Sequence, residues 1–148
     1  MRKSLERFVA AIFLLAYFQV ASLAAEISVK DLPELAKAFI ASSYPNTEVV
    51  WAKEEPGWFF SDYSVKIADS TLICFDSAGN CKSLENAKSG IVLNVLPLPL
   101  KEAVETRFIG VKVRRVEFLP SGDFIADFLD GRKFRFNTDG GCVDYTRK

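Results

Sequence analysis

The sequence contains no histidine. The commonest general base, metal ligand and pH switch is therefore missing, and a serine or cysteine nucleophile lacks its usual partner. No G-x-S-x-G elbow occurs, and the acidic residues are scattered over strand-like segments without a convergent pair. No catalytic residue is assigned, and the chain reads as a non-enzyme without metal or cofactor. Neither sign of charge is in excess. Lys plus Arg and Asp plus Glu each number 19, which leaves no basic surplus for nucleic acid and no acidic tail. Cysteine is limited to Cys74, Cys81 and Cys142, an odd number for an exported chain.

Export is indicated by the N-terminus. Arg2, Lys3 and Arg7 precede an apolar run over residues 8–17, and small residues at Ser22 and Ala24 fit a cleavage site. Residues 1–25 are expected to be a signal peptide, cut just after Ala24 or Ala25. The run is interrupted by Gln19 and Ser22 and is short for a span of about 20 residues, so no membrane span is expected after cleavage. No Cys lies near the cut, which argues against a lipoprotein. The expected compartment is the periplasm or the cell exterior. Removing three positive charges and Glu6 leaves a mature chain of net charge near −2. About 120 residues suffice for one core, so residues 26–148 are expected to form a single domain.

What the chain does have is phenylalanine, 13 of 148 residues, and a motif written twice. Phe75-Asp76-Ser77-Ala78-Gly79-Asn80-Cys81 is followed 61 positions later by Phe136-Asn137-Thr138-Asp139-Gly140-Gly141-Cys142. An aromatic closes a strand, an Asx side chain folds onto its own backbone, a Gly takes positive φ, and a Cys opens the returning strand. That recurrence predicts an internal duplication, with repeats at about 29–87 and 93–147. After an extended lead at 27–30, Asp31 is placed to cap a helix that Pro45 stops. The inward positions are Ala36, Ile40 and Tyr44, and then, 64 residues on, Leu100, Val104 and Phe108. Strands are expected at 47–53, 58–67, 71–75 and 81–84, then at 111–119, 123–129, 133–136 and 142–145. The phase of alternation changes at Arg114-Arg115, which predicts a bulge.

The paired apolar positions Tyr63/Phe124, Val65/Ala126, Ile67/Phe128, Ile73/Phe134 and Phe75/Phe136 should face the helices, with Phe59 beside Tyr63 on that side. The alternate set is half polar and fits a sheet covered on one side only. It supplies the candidate contact residues: Trp58 and Phe60 as aromatic anchors, and Asp62, Lys66, Asp127, Lys133 and Arg135 as a charged face. The competing readings are plain packing for the aromatics and a merely solubilising face for the charges. Cys74 and Cys81 flank one hairpin tip and can form a cross-strand disulfide, while Cys142 is placed across from Arg135. Asn137-Thr138-Asp139-Gly140 carries part of a calcium-loop pattern, but no Glu stands at the twelfth position and turn chemistry explains it.

The pattern Pro33…Ala36…Ile40…Tyr44-Pro45, with Trp51, Tyr63 and Phe75-Asp76-x-x-Gly79, resembles the secreted bacterial PepSY-like, or beta-lactamase-inhibitor-like, proteins. The resemblance implies an α+β fold of two tandem α-β-β-β-β repeats: one antiparallel sheet of about eight strands with two helices on one face. It also implies binding or inhibition of a protein partner through the bare face. The second copy departs from the pattern, with no Tyr-Pro after its helix. The expected function is therefore an exported, non-catalytic binder, inhibitor or chaperone-like, of an unknown periplasmic or extracellular protein. The alternative is a carrier or sensor of a small apolar or peptide ligand held between sheet and helices, which requires a cavity there.

Overall fold

Alternation in the strands, broken at a few bulges, and helical spacing between them leave most elements with one apolar side, and these sides meet in a single interior. The computed structural model describes residues 24–144, so most of the expected signal segment and the Tyr145 end of the last expected strand lie outside the described residues. The order is β1 (Ala25–Ile27), α1 (Glu34–Ser43), β2 (Val49–Pro56), β3 (Ser61–Ile67), β4 (Leu72–Phe75) and β5 (Cys81–Glu85). Then follow α2 (Leu98–Arg107), β6 (Val113–Phe118), β7 (Phe124–Phe128), β8 (Lys133–Phe136) and β9 (Cys142–Asp144). Among the described residues, nine strands form one antiparallel sheet in sequence order, β1 through β9. No helix among them is long and apolar enough to cross a membrane.

The strand count exceeds the expected eight by one. Ala25–Ile27 pairs with Lys53 and its neighbours on β2, and residues 29–31 form a 3-10 turn capped by Ser28 where an extended lead was expected. Asp31 belongs to that turn; the N-cap of α1 is Pro33, whose fixed φ suits the position. The second difference lies at the β2–β3 hairpin. The strand expected from Trp58 begins only at Ser61, because the Gly57 N–H bonds the Phe60 carbonyl at 3.0 Å and closes a loop over the three aromatics. Phe59 is consequently not core: it is 83% exposed.

All six inward helix positions are buried, as are Val65, Ile67, Ile73, Phe75, Phe124, Ala126, Phe128 and Phe136. Tyr63 and Phe134 are partly buried against the same cluster. Phe108 at the end of α2 lies 4.6 Å from Phe128 and 4.9 Å from Phe134, centroid to centroid. Phe39 on α1 meets Phe75 edge-on at 5.8 Å. The expected bulge is present as a register shift between Val113 and Arg115.

The two matching turns have the same internal bonding. Asp76 Oδ1 accepts the N–H groups of Ala78 and Asn80 at 3.0 and 2.9 Å, and Asn137 Oδ1 accepts those of Asp139 and Gly141 at 3.0 and 2.7 Å. Gly79 and Gly140 follow at φ 93° and 83°. Each glycine presses on a helix start: a Cβ on Gly79 would stand 2.8 Å from the Ala36 nitrogen, and one on Gly140 would stand 2.6 Å from the Pro99 carbonyl oxygen. The turns thus fix the height of each helix above the sheet.

A second polar anchor lies at the opposite end. Asn86, fully buried in the linker after β5, donates to the Asp69 carbonyl and to Thr71 Oγ1, each at 3.1 Å. Its Oδ1 accepts from the backbone of Lys88 and Ser89 at 3.1 and 3.0 Å. Every hydrogen-bonding atom of that amide has a partner, which makes its burial tolerable.

Candidate functional site

Strand alternation sends half of the sheet's side chains away from α1 and α2, and the register sorts them into cross-strand rows. One row reads Trp51, Lys66, Leu72, Glu85, Arg115, Asp127, Lys133 across β2 to β8. A neighbouring row reads Lys53, Ser64, Cys74, Ser83, Glu117, Ile125, Arg135, Val143. Neither row is covered by a helix of the described residues. Charges alternate along the first row and partly neutralise one another: Arg115 Nη1 lies 3.7 Å from Glu85, and Lys133 Nζ 3.2 Å from Asp127.

The expected contact residues therefore divide into separate places. Asp127, Lys133 and Arg135 lie together on β7 and β8, with Arg135 engaging Asp123 through Nε and Nη2 at 2.9 and 2.6 Å. Lys66 and Asp62 lie on β3, four strands from β7, or about 19 Å at the usual strand spacing. Asp62 receives Lys82 Nζ at 2.6 Å, and that bond comes first among the causes that raise the Lys82 pKa above the ordinary lysine value. Trp58 and Phe60 are not on the face at all. They form the tip of the β2–β3 hairpin, 92% and 75% exposed, with Phe59 between them and the Trp58 and Phe59 rings edge-on at 6.5 Å.

The Cys74–Cys81 disulfide that the sequence allows is not formed in this structure, where both are free thiols. Cys74 pairs with Ser83 on the open face, whereas a register shift between Cys74 and Phe75 turns Cys81 toward the helices opposite Phe75. Burial, reinforced by the nearby Cys74, pushes the Cys81 thiol up to about 12. Cys142 is also displaced from its expected neighbour: it stands across from Phe136, and Val143 takes the place beside Arg135.

Sequence reasoning missed a groove of about 710 Å³ on the open face. Cys74 and Ser83 line its floor, Glu55, Asp62 and Lys82 stand at one side, and Arg115, Glu117 and Phe118 at the other. It exists because Ser64, Cys74 and Ser83, all small, are consecutive in one row while long charged chains flank them. No stretch of sequence spells that row; only the register of three strands does. Among the described residues, no group of three or more His, Cys, Asp or Glu is placed to hold a metal. The Asn137 oxygen of the calcium-like tip is engaged by its own backbone.

No family model and no curated protein matches the chain. Solved structures do. A protein from Bacteroides thetaiotaomicron described as calcium-regulated and periplasmic aligns with a TM-score of 0.76 at 21% identity, over 86% of this chain and 99% of that one. A protein from Bacteroides vulgatus described as periplasmic and of the DUF2874 family aligns at 0.73 and 25% identity, again over 86% and 99%. A second protein from that organism, described as periplasmic and of unknown function, aligns at 0.71 and 21% identity over 84% and 99%. The likeness establishes the fold class, an open antiparallel sheet with helices. The finer PepSY-like resemblance has no family match behind it.

Proposed function

We propose that this chain is an exported, non-catalytic binding module that engages a protein partner through its aromatic hairpin tip and the open face of its sheet. The observation that carries the reading is the tip itself. Trp58, Phe59 and Phe60 are 92, 83 and 75% exposed, where nothing in the fold requires them. Three adjacent aromatics present several hundred Å² of apolar surface, about the size of the largest patch on an ordinary monomer. Export is supported by the signal-like N-terminus and by neighbours described as periplasmic. Duplication is supported by the matching bonds and helix contacts of the turns at Asp76 and Asn137. In a PepSY-like protein such a surface would serve inhibition or chaperone-like binding.

The carrier reading is disfavoured by the interior. Phe75, Phe136, Leu100 and Phe128 are all at most 1% exposed between sheet and helices, and the recess of about 340 Å³ beside the end of α2, lined by Val104, Phe108 and Val111, is open to solvent rather than enclosed between the layers. The test is affinity capture from an envelope extract. One stoichiometric partner should bind the wild-type protein and be lost from the Trp58→Ala, Phe60→Ala double variant, whereas Glu105→Ala on the outer side of α2 should retain it. Undiminished capture by the double variant would overturn the proposal.

A further inference from the structure

We infer that the groove on the open face is a binding site for an extended peptide segment carrying two cationic side chains four residues apart. This rests on the reading of the open face as a contact surface and adds the chemistry of what lies there. Four carboxylates line the groove, those of Glu55, Asp62, Asp76 and Glu117, against the two cations Lys82 and Arg115. Both cations are already committed, Lys82 to Asp62 and Arg115 to Glu85. Glu55 and Glu117 have no ion-pair partner among the described residues. Two carboxylates therefore stand at opposite rims without an ion pair of their own among the described residues, and a cationic occupant complements them.

The spacing sets the length of the occupant. Ser64 donates its hydroxyl to Glu55 Oε1 at 2.6 Å, which fixes that carboxylate over Ser64. From Ser64 the row crosses Cys74 and Ser83 to reach Glu117. Three strand spacings separate the two positions, about 14 Å. An extended chain rises about 3.4 Å per residue and returns to the same face every second residue, so side chains at i and i+4 match this span. The floor between the rims is made of the short side chains of Cys74 and Ser83, which leaves room for a backbone to lie across the strands.

Binding can be read with the purified protein and a fluorescein-labelled seven-residue peptide of Ser and Thr with Lys at its second and sixth positions. The expected result is saturable binding that weakens with added salt. Glu55→Gln and Glu117→Gln should each lower affinity about fivefold, the loss of one partly exposed ion pair. A peptide with its two lysines adjacent should bind more weakly than the spaced one. Occupancy should also slow alkylation of Cys74, located by mass spectrometry, because that thiol lies on the floor. No binding, equal binding of the two spacings, equal competition by spermine, or an unprotected Cys74 would each overturn the site. Failure here with intact, tip-dependent capture of a protein partner would leave the binding-module proposal standing. Loss of that tip dependence would remove the broader reading instead.

Discussion

Replacing Gly79 by alanine separates two costs that usually arrive together. Gly79 has φ 93°, and a Cβ there would stand 2.8 Å from both the Ala36 nitrogen and the Pro33 Cβ. Gly131, in the β7–β8 turn, has φ 90° but nothing within 4 Å of the same Cβ. Alanine at Gly131 therefore meets only the left-handed backbone penalty, about 1–2 kcal/mol. At Gly79 the same penalty applies, and in addition α1 must lift from the sheet, an overpacking cost of about 1–3 kcal/mol. The expected losses are about 1–2 kcal/mol for Gly131→Ala and about 2–5 kcal/mol for Gly79→Ala. Gly140→Ala should resemble Gly79→Ala, since its Cβ would meet the Pro99 carbonyl on α2. Urea unfolding followed by circular dichroism measures all three. For a chain of this size each kcal/mol corresponds to a few degrees in Tm. Equal losses at Gly79 and Gly131 would refute the claim that the repeated turns set the helix positions.

Three further outcomes follow from buried or bonded polar groups. The Tyr44 hydroxyl is buried and has at most a poorly aligned bond to Thr71 among the described residues, and burial is the main cause holding its pKa above the usual tyrosine value, so Tyr44→Phe should leave stability unchanged or raise it by about 1 kcal/mol; a loss of that size would contradict this. Asn86→Ala strands the groups it joins and should cost about 2–4 kcal/mol in denaturant unfolding, with a loss below about 1 kcal/mol counting against its role. At Asp76, burial opposes ionisation, but hydrogen bonds from the Asn80 side chain and from backbone N–H groups outweigh it and hold the carboxyl below its ordinary value. Its stabilisation is thus present above the unfolded-state value and is lost as pH falls through the folded one. Asp76→Asn keeps the Oδ1 acceptor but loses the bond from Asn80 Nδ2 to Oδ2, so it should lower stability slightly at neutral pH and flatten its decline in acid; an unchanged acid profile would show that Asp76 does not contribute to it.

Helix spacing and strand alternation made the core legible, because both are local signals. Ala36 and Ile40 on α1, Tyr44 just after it, and the sheet positions from Val65 to Phe136 needed no tertiary information. The failures had longer-range causes. Trp58-Phe59-Phe60 has strand-like composition, but the loop closure from Gly57 to Phe60 removes it from the ladder. Ala25–Ile27 is too short to show alternation and is a strand only because β2 offers an edge. The Cys74–Cys81 pairing assumed an unbroken register, and one shift beside Phe75 was enough to place the thiols on opposite faces. Asn86 is buried by partners 15 and 17 residues away, which composition cannot reveal. The floor of the groove depended on the pairing of three strands, β3 to β5.

The central claim is that contact with a partner occurs at the tip and the bare sheet face, away from the helices. A photo-crosslinking residue introduced in turn at positions 58, 66 and 105 tests it most directly. Adducts with one and the same protein from positions 58 and 66, and none from 105 on α2, are the expected result. Adducts from 105 alone would place the contact on the helical side and contradict the account.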